Sequence, residues 1–490
     1  MLFNSIHFLL FFPVVVVLYF LLPHKYRWIF LLVASYYFYM CWKAEYIFLI
    51  IASTTVDYFA GIKMEEAKST RRKRLFLMLS LLSNLGLLFT FKYFNFLSDS
   101  VHLAFQSINI FYDAPTFKLL LPVGISFYTF QTLSYSIDIF KGKRKAERHL
   151  GYFALYVSFF PQLVAGPIER STRLLPQFFV KQEFSMSNLG DGLKLMMWGF
   201  FKKVVIADRL AILVNQVYNH SEMHNGVTLL IATYFFAFQI FCDFSGYSDI
   251  AIGAAKVMGF DLMKNFDRPY YSKNISEFWK RWHISLSTWF RDYLYIPLGG
   301  NRVNKWRWYF NLFVTFLVSG LWHGANWTFV VWGAIHGFYL VFAIWTKSIA
   351  KWIYKALGLN SKKRIRDIVD VFITFHLVLF AWVFFRANSL QDAIYILSHL
   401  FPLQIGEFLD MLQSTGATEV ALGLTKKSLI LAVLSIGLME MVHFYQRKKK
   451  MKDLLAKQPT LVRWTVYYAF IIIIISFGEF SMQEFIYFQF

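Results

Sequence analysis

The chain has 490 residues, 57% of them hydrophobic, 20% aromatic and 16% charged, with a mean hydropathy of +0.46. Soluble domains carry roughly a quarter charged residues, so this composition excludes an ordinary soluble enzyme and indicates a polytopic membrane protein in a lipid bilayer. The net charge of +21 is spread over loops between apolar runs, which argues against nucleic acid as a partner and fits the cytoplasmic face of a membrane protein.

The N-terminal run MLFNSIHFLLFFPVVVVLYFLLP has no basic leader and no small-residue cleavage site, which predicts a retained span. Apolar runs over Ser5–Leu22, Trp28–Trp42 and Tyr46–Gly61 precede the basic loop Lys63–Arg74. Basic loops stay in the cytoplasm, so three spans before this one place the N-terminus outside. Leu75–Leu97 leads to the loop Ser98–Phe117, which lacks Lys and Arg, and Leu119–Phe140 returns to the basic Lys141–Arg148. Gly151–Gly166 is short, contains Pro161 and has basic segments on both sides, so it reads as re-entrant or interfacial. Asp191–Tyr218 carries Lys202, Lys203, Asp208 and Arg209, the last two adjacent and expected to be partly paired. Val227–Met258 carries Asp243 and Asp249 around Ser245 and Gly246.

Further spans are expected near Ile368–Arg386, Ser428–Met441 and Trp464–Phe477. The loop Pro402–Thr425 suits the outside and Gln446–Asp453 the inside, which places the C-terminus outside as well. The fold class is therefore an all-α polytopic membrane protein of roughly ten or eleven transmembrane helices with re-entrant and interfacial pieces. No internal repeat divides it, and 1–490 reads as one transmembrane domain. Cys41 and Cys242 form no disulfide or CxxC pattern, and no His/Cys/carboxylate set has metal-ligand spacing, so no metal is expected.

One region, 266–337, is oddly polar for so apolar a chain. Trp306–Ser319 is too short to cross about 30 Å of hydrocarbon, and the glycine-flanked SGLWHGAN then turns the chain back toward basic residues. This pattern predicts a helical hairpin or a broken helix with His323 at a turn at membrane depth. Histidine is suited to proton transfer near neutral pH, and in a protein-lined cavity it can take a proton from a hydroxyl attacking an acyl carbonyl. The competing reading is a packed histidine bonded to a helix carbonyl. Upstream, FWKRWHISLSTWF carries His283; on one continuous helix, Lys280 and Ser287 would share its face. Two readings stand for Lys280, Arg281 and Arg291: an amphipathic interfacial helix, or cations that hold cofactor phosphates. His336, thirteen residues after His323, and His376, alone in an apolar run, read as structural.

The segments PQLVAGPIER (Pro161–Arg170), Phe266–Gly300 and SGLWHGANWTFVVWGAIHG (Ser319–Gly337) resemble the membrane-bound O-acyltransferase family, in its bacterial branch that acetylates exopolysaccharides. The resemblance covers nearly the whole chain. It implies helices around a thinned membrane region with a central tunnel, and it matches His323 to the family's catalytic histidine. His283 matches a second, upstream position nearer the cytosolic donor. It further implies acetyl-CoA as donor substrate with no permanently bound cofactor, a separate extracytoplasmic acetyltransferase as partner, and a polysaccharide acceptor. The expected location is the bacterial inner membrane.

Two alternatives are carried forward. A related branch of the same family transfers D-alanine to teichoic acids from a carrier protein. A polysaccharide transporter would instead use intramembrane charges such as Asp57, Lys92, Asp138 and Asp243, although no repeated halves are present.

Overall fold

A computed structural model describes residues 1–490 except 113, 114, 118, 119, 359, 360, 402, 414–421, 448–450, 481–484 and 487–490. Parts of the expected loops Ser98–Phe117, Pro402–Thr425 and Gln446–Asp453, and the C-terminus itself, lie outside the described residues. The described residues form helices joined by turns, with no strand among them. Local capping explains many helix starts. Ser5, Ser69, Asn274, Asn304, Asn326, Ser389 and Thr425 each accept a backbone N–H in the first turn of the helix they precede.

Seven of the described helices are long and apolar enough to cross a membrane: Ala44–Glu66, Thr70–Ser107, Gly226–Val257, Trp327–Trp345, Lys363–Arg386, Lys426–Gln446 and Thr460–Phe477. Other runs expected as spans are shorter or interrupted helices. Ile6–Leu21 is only 16 residues long. The expected span at Asp191–Tyr218 is three joined pieces, Met186–Phe200, a wide π turn at Phe201–Ala207 and Asp208–Asn219. The turn itself carries Lys202 and Lys203, too much charge for an apolar span. Helix also runs on to Ser107, into what was expected to be loop.

The chain divides into two compact units. The first comprises Met1–Met196, Ile250–Lys264 and Thr288–Pro297. Within it, Leu150–Ser158 and Phe160–Leu163 form a mostly buried helix broken at Phe159, with Pro161 in the first turn of the second piece.

The second unit comprises Met197–Asp249, Asn265–Ser287 and Leu298–Phe490. Its intramembrane charges are matched internally. Lys203 Nζ lies 2.8 Å from Asp208 and 2.7 Å from Asp243, and Lys202 Nζ lies 2.7 Å from Asp249. The expected Asp208–Arg209 pairing does not form. Arg209 instead donates to the Ser428 hydroxyl and, at 2.6 Å, to the Phe477 carbonyl. Asp208 and Asp243 bridge through one lysine because the π turn aims its side chain between them. The main feature of this unit is the hairpin of Lys305–His323 and Trp327–Trp345. A Cβ at Gly320 would lie 2.2 Å from the Phe329 carbonyl oxygen, so only glycine lets the two legs approach this closely.

Candidate active site

The hairpin turn fixes His323. Lys305–His323 ends at His323, and Asn326 starts the returning helix by accepting the Thr328 N–H at 3.0 Å. Asn326 also donates to the Asn388 carbonyl at 3.2 Å, tying the turn to the end of Lys363–Arg386. His323 Nδ1 lies 2.6 Å from the Ser319 carbonyl one turn back. A carbonyl oxygen can only accept, so Nδ1 carries the proton and the basic lone pair is on Nε2. The bond to a helix carbonyl that the bland reading expected is present, and it is also the bond that sets this tautomer.

Aromatic rings enclose the imidazole. Trp322 and Trp332 each have ring centroids 4.8 Å from it and Phe385 lies at 5.6 Å, leaving His323 3% exposed. Trp332 also lies 5.0 Å from His336, so a single indole separates the two histidines. The sequence-based separation along one helix axis overestimated their distance because the hairpin folds them side by side. His336 is fully buried and accepts from Trp279 Nε1 at 3.3 Å, which is a packing role. His376 takes the Tyr234 hydroxyl at 2.7 Å and bonds the Phe372 carbonyl at 2.8 Å, also a structural pattern.

His283 departs from the expected helix. The chain breaks there into Ile275–Arg281 and Ile284–Phe290, with His283 at φ 41°. This left-handed backbone is uncommon for a non-glycine residue and costs on the order of 1–3 kcal/mol. Asn265 holds the break: its carbonyl accepts the Ile284 N–H at 2.9 Å and its side-chain oxygen accepts the Ser285 hydroxyl at 2.7 Å. The break turns His283 inward, where it is fully buried. The imidazole packs 4.6 Å from the Phe244 ring and 6.0 Å from Trp322. Burial, and then the nearby His323, push its pKa well below the ordinary histidine value, so it is neutral at physiological pH. The expectation that His283 shares one continuous helix face with Lys280 is therefore corrected. His283 and His323 share one buried aromatic cluster.

Lys280 is exposed, and Arg281 is held by Glu277 at 2.6 Å. Arg291 belongs to the first unit, where it is more than half exposed and pairs with Asp292 at 2.8 Å. Glu277 and Arg281 are spaced as an i,i+4 pair, a signal already present in the sequence. Reasoning from the sequence missed Asn265, Phe244, Trp332 and Phe385, whose importance follows from contacts between segments distant in the chain. No group of three His, Cys, Asp or Glu side chains among the described residues is arranged to hold a metal ion.

The site can therefore present an unprotonated imidazole nitrogen among buried aromatic rings at the end of a hairpin, the arrangement a general base requires. Residues 147–389, which include both histidines, match the model of the membrane-bound O-acyltransferase family. The chain is 40% identical to the probable alginate O-acetylase AlgI of Pseudomonas aeruginosa, over 92% of this chain and 84% of that protein. It is 33% identical to a peptidoglycan O-acetyltransferase of Helicobacter pylori, over 80% of each. A teichoic acid D-alanyltransferase of Bacillus subtilis is 30% identical over 56% of this chain and 71% of that protein. The chain belongs to the membrane-bound O-acyltransferase family, in the branch of the alginate O-acetylases, and is a membrane O-acyltransferase.

Proposed function

We propose that residues 1–490 act as one catalytic domain that takes an acetyl group from cytosolic acetyl-CoA and passes it across the bacterial inner membrane for O-acetylation of a cell-surface or secreted polysaccharide. The observation that carries this reading is the His323 tautomer. Its Nδ1 is engaged by the Ser319 carbonyl, so Nε2 is the nitrogen that accepts a proton. In this mechanism an acceptor hydroxyl attacks the thioester carbonyl while Nε2 takes the hydroxyl proton. The new ester forms and the coenzyme A thiolate leaves, to be protonated by the resulting imidazolium. General-base help of this kind contributes about 10²–10⁴ in rate. His283, neutral and buried beside the same tryptophan, shapes the pocket and contacts the reacting groups. The final acceptor is reached directly or through a separate extracytoplasmic acetyltransferase, with both chain termini outside.

The wider match to acetylases than to the D-alanyltransferase favours acetyl over D-alanyl transfer. A transport pathway is disfavoured because its three carboxylates are engaged locally. Asn84 donates to Asp57 at 2.8 Å, Tyr293 donates to Asp138 at 2.8 Å, and Lys203 neutralises Asp243. Inside-out vesicles supplied with radiolabelled acetyl-CoA test the reading. The expected result is label transferred to an acceptor with stoichiometric release of free coenzyme A. Polymer movement without thioester consumption, or transfer only from a carrier-bound D-alanyl group, would refute it.

A further inference from the structure

We propose that Arg386 is a positioning residue for His323, acting on the hairpin turn through Asn388 and Asn326 and on the imidazole through Phe385. The proposal rests on the reading of His323 as the base. Arg386 ends the helix Lys363–Arg386 and is only 8% exposed. Its guanidinium meets amide oxygens. Nη2 donates to Asn215 at 2.8 Å and to Asn219 at 3.2 Å, and Nη1 donates to Asn388 at 3.3 Å. Asn215 and Asn219 are four apart on Asp208–Asn219, so one helix face presents both oxygens. Asn388 also donates to Asn219 at 3.2 Å. The guanidinium carbon lies 5.4 Å from the centroid of the Tyr218 ring, and the Tyr218 hydroxyl is bonded to Thr233 at 2.9 Å. The arginine is thus fastened to two further helices, Asp208–Asn219 and Gly226–Val257.

Burying a cation is costly, and the solution used elsewhere in this unit is Lys203 between two carboxylates. Arg386 bonds neutral amides instead. What it gains is reach, because a planar fork of donors holds oxygens on two elements at once, which the point charge of a lysine does not. Two routes carry its position to the site. In the first, the Asn388 carbonyl accepts the Asn326 amide at 3.2 Å, three residues beyond His323, while the Asn326 oxygen caps the returning helix. In the second, the Phe385 ring lies 5.6 Å from His323, 4.9 Å from Phe329 and 5.1 Å from Trp332, so it packs on both legs of the hairpin. Phe385 and Asn388 flank Arg386, and the guanidinium fixes where both stand relative to Asp208–Asn219. The Ser319 carbonyl sets the tautomer of His323 from within its own helix. The Arg386 set holds the end of that helix in place, which a bond within the helix does not do.

The test compares full-length wild type with Arg386→Gln, Arg386→Lys, Asn326→Ser, the Arg386→Gln/Asn326→Ser double variant, His323→Ala and Glu222→Gln. Asn326→Ser keeps a capping oxygen but loses the amide donor to Asn388. Glu222, exposed in the turn Ser221–Met223, is the control. O-acetylation of the envelope polymer is measured in cells at matched membrane abundance, and coenzyme A release by inside-out vesicles gives kcat and KM for acetyl-CoA. Arg386→Gln and Asn326→Ser should each lower acetylation and kcat about tenfold or more, with KM within about twofold, because a displacement of about 1 Å in a positioned group costs about 10²-fold. Arg386→Lys, which keeps the charge and loses the fork, should behave as Arg386→Gln does. The double variant should fall no further than the more impaired single variant, because both changes break one chain of contacts. Glu222→Gln should match wild type. Asn326→Ser with wild-type acetylation overturns the proposal, and that result stands even where Arg386→Gln fails to reach the membrane. Full activity in Arg386→Lys, losses that multiply in the double variant, or a loss carried by KM overturns it as well. His323→Ala at background beside Arg386→Gln and Asn326→Ser at wild-type levels removes the positioning role and leaves the base. His323→Ala at the wild-type level removes both.

Discussion

Gly320→Ala tests whether the hairpin sets the position of His323. The added methyl would sit 2.2 Å from the Phe329 carbonyl oxygen and 3.0 Å from Gly333 Cα and N. All of these neighbours are backbone, so no side chain can swing aside. Opening the shortest contact to 3.0 Å moves the legs apart by about 0.8 Å, in an interior packed too densely to absorb it locally. Overpacking of this kind costs about 1–3 kcal/mol of stability. The larger effect is on chemistry, because a shift of about 1 Å in a positioned group costs about 10²-fold in rate. The assay is the initial rate of acetyl transfer by purified protein, normalised to membrane abundance and read beside Tm. Gly86→Ala and Gly437→Ala, where an added Cβ meets nothing within 4 Å, serve as controls and should leave the rate intact. A Gly320→Ala enzyme with the wild-type rate and Tm would refute the argument that close approach of the legs places the histidine.

Glu169→Gln should raise Tm at pH 8 and lose that advantage near pH 4.5. Burial raises the Glu169 carboxyl to about 7 against the opposing Met263 amide, while the unfolded chain ionises from its ordinary value upward. Folded stability is therefore lost as pH rises through that window, and equal Tm at pH 8 contradicts the assignment. Lys203→Met leaves Asp208 and Asp243 buried without a cation and should cost about 3–5 kcal/mol in denaturant unfolding. Adding Asp208→Asn and Asp243→Asn should recover most of the loss, and no recovery would show that the lysine acts by packing alone. Trp332→Ala removes the indole between His323 and His336 and should destabilise by about 3–5 kcal/mol. Kinetically it should lower kcat more than it raises KM for acetyl-CoA, and a pure KM effect would argue against its role in holding the base.

The hairpin was legible in the sequence because its cause is local: a short apolar leg, a glycine-flanked polar turn and a second leg. His323 at the turn followed directly. The company it keeps did not, since Trp332 and Phe385 reach it only when the legs fold back and Lys363–Arg386 packs beside them. His283 was misjudged for a similar reason. Its segment has helical periodicity, but Asn265, far back in the chain, takes the hydrogen bonds that break the helix and turn the histidine inward. Lys280, Arg281 and Arg291 left two readings open from the sequence, and what formal charge alone did not give is that Glu277 pairs with Arg281 and Asp292 with Arg291. The interruption of the Asp191–Tyr218 run was not legible, because the π turn that carries Lys202 and Lys203 has no signature in the apolar pattern.

The most direct test of the account is acetylation of the envelope polymer by His323→Ala cells in which the variant protein reaches the membrane at wild-type abundance. The account predicts that O-acetylation falls to background, because the variant lacks the imidazole proposed to take the hydroxyl proton. Acetylation at the wild-type level with normal membrane abundance would contradict it.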